Sequence, residues 1–224
     1  MCWPERQSSE GAQTLQVPVN PGSEPGLKPY APACDRNRDS ILAVLRRVLP
    51  GEGQVLEIGS GTGQHAAYFS AALPHLQWLP SDLPSRLPGI TQWCDQSGND
   101  KCLAPVAVDL LRASLSLPRS DAIVCINTVH IVAWAGVQNL FKAARDCLSP
   151  GQVLYLYGPY RYADRPFEPS NEEFDRWLNA RDPLSGVRDF DTVRDLAASC
   201  AFDLSLDLPM PSNNRSLCFT RSED

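Results

Sequence analysis

The chain has 224 residues, 43% hydrophobic and 21% charged, which fits one globular domain with a sizeable core and leaves no room for a second full domain. A net charge of −6 gives no overall pull toward a phosphate backbone, so nucleic acid is excluded as the expected partner and small-molecule chemistry is favoured. No stretch approaches the length of a bilayer span, no basic-then-apolar leader opens the chain, and none of the eight cysteines forms a C-x-x-C pair; a cytoplasmic, reducing setting with free thiols and no metal is expected.

Residues 1–27 are rich in Pro, Ser, Gln and Gly without apolar period and are expected to be a disordered tail, with a single domain over 28–224. Asp35 is positioned to cap a helix whose apolar face is Ile41, Leu42, Leu45 and Val48 and which stops at Pro50-Gly51. Strand and helix signals then alternate: strand 54–58, helix 63–73, strand 76–81, helix 86–96, strands 103–108 and 121–126, helix 134–148 and strand 151–157. Two further helices, 170–182 and 189–202, precede two alternating strands, 203–209 and 214–221, close enough to pair antiparallel. The pattern predicts an α/β, Rossmann-like fold: a seven-stranded, mostly parallel sheet with an antiparallel edge hairpin and helices on both faces. Ligands of such folds bind beyond the carboxyl ends of the strands.

At the first strand-to-helix junction stands "VLEIGSGTGQH", residues 55–65. The spacing is G-x-G-x-G, so it departs from the G-x-G-x-x-G of dinucleotide sites, and no lysine follows Gly63 as a P-loop requires. Glu57-x-Gly59-x-Gly61-x-Gly63 instead resembles the first motif of class I S-adenosylmethionine-dependent methyltransferases. Glycines let the backbone approach a ligand closely, and an acid can attract an ammonium or be hydrogen-bonded near it. Asp82 ends the next strand, where a carboxylate can accept both ribose hydroxyls, and Asp109 ends the third, where the adenine amino group is expected. The cofactor-binding set implied is Glu57, Gly59, Ser60, Gly61, Gly63, His65, Asp82, Leu83, Asp109, Leu110 and Asn127, with S-adenosylmethionine as cofactor and S-adenosylhomocysteine as product.

A wider resemblance runs through "RNRDSIL", "CINTVHIVAW", "LYLYGPY", "PSNEEFDRWLNARDPLSGVRD" and "MPSNNRSL". Together with the glycine segment these are similar to the DUF938 (UPF0585, methyltransferase-like protein 26) family. The resemblance implies the methyltransferase fold and its cofactor, and names no substrate.

Methyl transfer needs a nucleophile aligned, desolvated and in some cases deprotonated. Asn127 and His130 follow the fourth strand, at the expected methyl-transfer end; His130 reads equally as a general base and as a histidine held for structure or substrate binding. With Tyr157 they form the candidate catalytic set. "NTVH" stands where many nucleic-acid base methyltransferases carry Asn-Pro-Pro-aromatic, which argues against that substrate. His65 opens the helix after the glycines and is expected near cofactor; His75 lies in a turn. Candidate substrate-binding residues are Arg36, Asn37, His130, Tyr157, Tyr160, Arg161, Asn171, Arg188 and Asn213; Arg36 and Asn37 read as part of a lid or, for Arg36 equally, as a solvated helix charge, the cluster after the fifth strand reads equally as a surface loop anchored by its aromatics, and Asn213-Asn214 also reads as a turn. The function expected is N-, O- or S-methylation of a small polar molecule. The alternatives are a non-catalytic S-adenosylmethionine- or S-adenosylhomocysteine-binding regulatory or interaction protein and, if the glycine spacing misleads, an NAD-dependent oxidoreductase.

Overall fold

β1 (Gly53–Ile58) is buried over its last four residues, which is why its sequence is an apolar run broken only by Glu57 and not an alternating one. It belongs to a computed structural model that describes residues 28–223; the expected tail lies outside them. α2 (Gln64–Ala72), β2 (Leu76–Asp82), α3 (Leu87–Ser97), β3 (Val106–Ala107), β4 (Ala122–Ile126), α4 (Trp134–Cys147) and β5 (Val153–Arg161) follow in alternation. α5 (Pro169–Arg181), β6 (Arg188–Asp189), α6 (Phe190–Ser199), β7 (Phe202–Met210) and β8 (Asn214–Arg221) complete the chain, and α1 (Pro32–Val48) precedes it.

The strand order is β3-β2-β1-β4-β5-β8-β7, with β6 beside the far end of β5. β1 to β5 pair in parallel, while β8 runs antiparallel to both β5 and β7. The hairpin therefore enters the sheet through β8 and leaves only β7 at the edge. From β1 the chain builds outward to β2 and then crosses back to β4, so the sheet reverses its winding between β1 and β4; crevices open at such reversals. Two cores cover the faces: Ile41, Leu45, Phe69, Trp78 and Tyr155 lie on the α1–α2 side, and Phe141, Val193, Phe202 and Phe219 on the α4–α6 side. Among the described residues no helix is long and apolar enough to cross a membrane.

Three expectations are corrected. α1 starts at Pro32 with Ala31 as its N-cap, so Asp35 lies inside the first turn, where it pairs with Arg38 at 2.8 Å instead of capping; proline at a first turn needs no backbone donor there. The strand expected over 103–108 is two residues long, because Pro105 has no N–H to give; a separate bridge joins Trp78 and Cys102 before it. That bridge brings Cys102 to α3, and Cys102 forms a disulfide with Cys94 where free thiols were expected.

Candidate functional site

Gly59, Gly61 and Gly63 all have left-handed φ, of +72°, +60° and +92°. Their reasons differ. A Cβ on Gly59 would run into Thr128 and one on Gly63 would lie 2.8 Å from Ile90 Cα, whereas one on Gly61 would meet nothing within 4 Å. Two glycines therefore serve packing, and Gly61 is where the loop faces open space. The loop is held from β2: the amides of Gly59 and Ser60 both donate to the Ser81 carbonyl at 2.9 Å, and that of Gly61 donates to Asp82 Oδ2 at 2.7 Å. Asp82 Oδ1 accepts the Leu83 amide, also at 2.7 Å. Burial raises the pKa of this half-buried carboxyl, opposed by the two amide bonds.

Glu57 is turned inward. It is 2% exposed, and its Oε2 accepts the Trp78 indole N–H at 2.9 Å. Burial pushes its carboxyl up to about 7, against the hydrogen bonds from Trp78 and Ser60. Ser81 Oγ also donates to the Glu57 carbonyl at 2.7 Å, so this acid organises the base of the loop. Asp109 is partly exposed and accepts the Leu111 amide at 2.9 Å. Leu110 is packed in the core, while Leu83 and Leu111 leave apolar surface exposed beside the two strand-end acids.

The first turn of α1 sits on this loop. His65 Nε2 and Asn37 Oδ1 are 2.8 Å apart and both residues are buried; since that oxygen only accepts, the ring donates from Nε2. The ring also stacks on Phe69, and burial pushes its pKa down to about 4. Asn37 and His65 thus satisfy each other and fasten α1 to α2, while Arg36 is exposed. Gln64 Oε1 accepts the Ala31 amide at 2.5 Å, which fixes the orientation of the side-chain amide and leaves Nε2 a buried donor with no partner.

At the carboxyl end of β4, Asn127 has φ +53° and its amide donates to the Tyr157 carbonyl at 2.8 Å. Its Oδ1 is buried without a partner. His130 is 2% exposed, lies edge-on to Phe174 at 5.3 Å, and has its pKa pushed down to about 3, first by burial and then by the Arg188 guanidinium. Thus the imidazole is uncharged over the physiological range.

Other expected residues do not converge there. Tyr157 faces the α1–α2 core and Tyr160 the α4–α6 core, because three positions along a strand reverse the face. The Arg188 guanidinium donates to the carbonyls of Val129, Val132 and Leu184, tying β6 to the turn that carries His130. Asn171 Nδ2 donates to the Asn213 carbonyl at 3.0 Å and Asn213 Nδ2 to Ser170 Oγ at 2.9 Å, locking the start of α5 to the turn between β7 and β8. Arg161 lies over Phe167 at the rim of a separate cleft of about 460 Å³, lined also by Tyr162, Arg165 and Asp189. The roles of Trp78, Gln64, Gly158 and Phe174 are absent from the sequence reading. Gly158 carries a signal only once β5 is seen to run on past Tyr157, since a glycine inside a strand marks close approach of another group.

A family model described as "Protein of unknown function (DUF938)" matches residues 28–221. The chain belongs to that family. Solved structures similar to this DUF938 chain include human N-acetylserotonin methyltransferase in complex with S-adenosylmethionine, at TM-score 0.70 and 15% identity over 85% of this chain and 53% of that one. A putative O-methyltransferase from Nostoc punctiforme gives 0.73 and 15% over 84% and 56%, and an O-methyltransferase family 2 protein from Planctomyces limnophilus, in complex with apigenin, gives 0.67 and 16% over 82% and 61%. The DUF938 chain spans little more than half the length of these structures and has their Rossmann-like methyltransferase fold.

Proposed function

We propose that this chain is an S-adenosylmethionine-dependent methyltransferase acting on a small polar molecule. The observation that carries the reading is the clasp of Gly61 on Asp82: a loop glycine facing open space, with its amide on a strand-end carboxylate, at the point where the sheet reverses its winding. The residues suit the cofactor. Gln64 Nε2 is an unpartnered donor suited to a carboxylate, each Asp82 oxygen keeps a lone pair for a ribose hydroxyl, and Asp109 lies partly exposed for an amino group. When bound, the cofactor supplies an electrophilic methyl group. The protein's share is to orient the acceptor with Asn127 and His130 and to keep water out with the Phe174 ring. The O-methyltransferase names of the neighbouring structures agree with this reaction class. Calorimetry with S-adenosylmethionine, S-adenosylhomocysteine and NAD tests the reading: binding of both sulfur ligands is expected, and tight NAD binding with no response to either overturns it.

A further inference from the structure

Residues 28–31 run as a strap from α3 to the start of α2 before α1 begins, and the strap is latched at both places. At α3 the Trp93 indole N–H donates to the Pro29 carbonyl at 2.7 Å. The Lys28 ammonium lies 3.2 Å from the centre of that ring and donates to Gln96 Oε1 at 2.6 Å. The Pro29 ring sits so close to Gly89 that a Cβ there would be 2.5 Å from Pro29 Cγ. At α2 the Ala31 amide donates to Gln64 Oε1. Gly63 joins the two latches: it precedes Gln64 in the chain, and a Cβ on it would lie 3.2 Å from Trp93 Cβ.

The α2 latch also prepares a donor. Gln64 is 5% exposed, and its Oε1 is taken by the Ala31 amide and by the Thr62 hydroxyl at 3.0 Å. Its Nε2 is left as a buried donor without a partner among the described residues. An unmet buried donor costs free energy, so the latched strap is favoured when an acceptor reaches Nε2. Gln64 is moreover the first residue of α2, where helical amides and the helix dipole favour a negative group.

We propose that residues 28–31 form a clasp that closes on ligands carrying a carboxylate, so that the site selects an amino-acid-bearing nucleoside over the nucleoside alone. The carboxylate accepts from Gln64 Nε2, which settles Gln64 Oε1 on the Ala31 amide and the strap on Trp93. This rests on the methyltransferase reading above, in which the amino-acid part of the cofactor carries that carboxylate. A ligand shifts such an equilibrium only by the difference in its affinity for the closed and open forms. A nucleoside without the amino-acid part offers Nε2 no charged acceptor and leaves the clasp where it was.

The test uses the full chain and begins with calorimetry of S-adenosylhomocysteine; failure to bind overturns the proposed function and this inference together. The clasp is then followed by NMR as hydrogen exchange of the Trp93 indole N–H, whose signal is identified by its loss in Trp93→Phe. S-adenosylhomocysteine is expected to slow that exchange about tenfold, and 5′-methylthioadenosine, which keeps the nucleoside and the sulfur without the amino-acid part, to leave it unchanged. Gly89→Ala drives a methyl group into the Pro29 ring and lifts the strap, while alanine suits the helix better than glycine. It should weaken S-adenosylhomocysteine binding about tenfold, the worth of one charge-assisted hydrogen bond, and hold methylthioadenosine affinity within about twofold. Trp93→Phe, which keeps a ring against Gly63 and loses the N–H, should show the same split and decides the matter if Gly89→Ala does not fold. Gln64→Ala should weaken S-adenosylhomocysteine by a similar factor, and its combination with Gly89→Ala by no more than either alone, because both break one device. Exchange that S-adenosylhomocysteine does not slow or that methylthioadenosine slows equally, unchanged S-adenosylhomocysteine affinity in these variants, equal losses of both ligands, or additive losses in the double variant each overturn the clasp and leave cofactor binding standing.

Discussion

Asp82 does two jobs with one carboxylate, and they can be separated. Its oxygens hold the amides of Gly61 and Leu83; removing them leaves two donors without an acceptor and removes the charged group proposed for the ribose. Asp82→Ala is expected to weaken S-adenosylhomocysteine binding by about 1.5 to 3 kcal/mol, and Asp82→Asn, which keeps one acceptor oxygen, by less. Unchanged affinity in Asp82→Ala, with the circular dichroism spectrum intact, would refute the ribose assignment. The buried histidines make a second prediction at this scale. With pKa values pushed down to about 4 and about 3, His65 and His130 should keep the same ring signals from pH 8 down to pH 5 in an NMR titration. The prediction fails if His130 titrates near 6.5, which would mean that water reaches the ring and would revive an ordinary general base there.

Among the elements, α3 is fastened by two devices of different origin. Ile90 packs against Gly63, and Cys94 is bonded to Cys102, which itself bridges to Trp78. The bond closes a loop with a sequence separation of 8, so reducing it should lower stability by about 2 to 3 kcal/mol through the entropy restored to the unfolded chain. Thermal unfolding with and without reductant measures this, and the double variant Cys94→Ser, Cys102→Ser should not respond to reductant at all. Neither device was visible in the sequence, because both depend on which elements meet. What was legible was local: the alternation of β1 through β5, the glycine loop at a strand end, and the final hairpin all follow from periodicity and turn residues. The apolar run at 103–108 suggests a longer strand than the two residues that pair, because Pro105 interrupts it, and Gly158 and Pro159 look like a stop although β8 pairs with both and β5 runs on to Arg161. The site was legible as a place and not as an arrangement. Asp82 and Asn127 stand at strand ends as spacing suggests, whereas the turning of Glu57 toward Trp78 and the mutual pairing of Asn37 with His65 depend on side-chain directions that no spacing encodes.

At the scale of the molecule, the loop stands on a buried acid, and this makes stability depend on pH in a direction opposite to that of most acids. Glu57 has its carboxyl raised from 4.5 to about 7 by burial, so the folded chain holds this proton at pH values where the unfolded chain has released it. The stabilisation is fully present below 4.5 and is lost as the pH rises through 7. Glu57→Gln keeps an acceptor for the Trp78 indole and removes the ionisation, while the two buried histidines are the same in both proteins and cancel in the comparison. Going from pH 5 to pH 8, the stability of the variant relative to the wild type should therefore increase by about 2 kcal/mol, whatever the cost of the substitution itself. Urea unfolding of the two proteins at both pH values gives the four free energies required. A relative stability that does not change between pH 5 and pH 8 would mean that Glu57 ionises as freely in the folded chain as in the unfolded one, and its carboxylate would then have to reach water or a cation at the glycine loop instead of lying sealed beneath it.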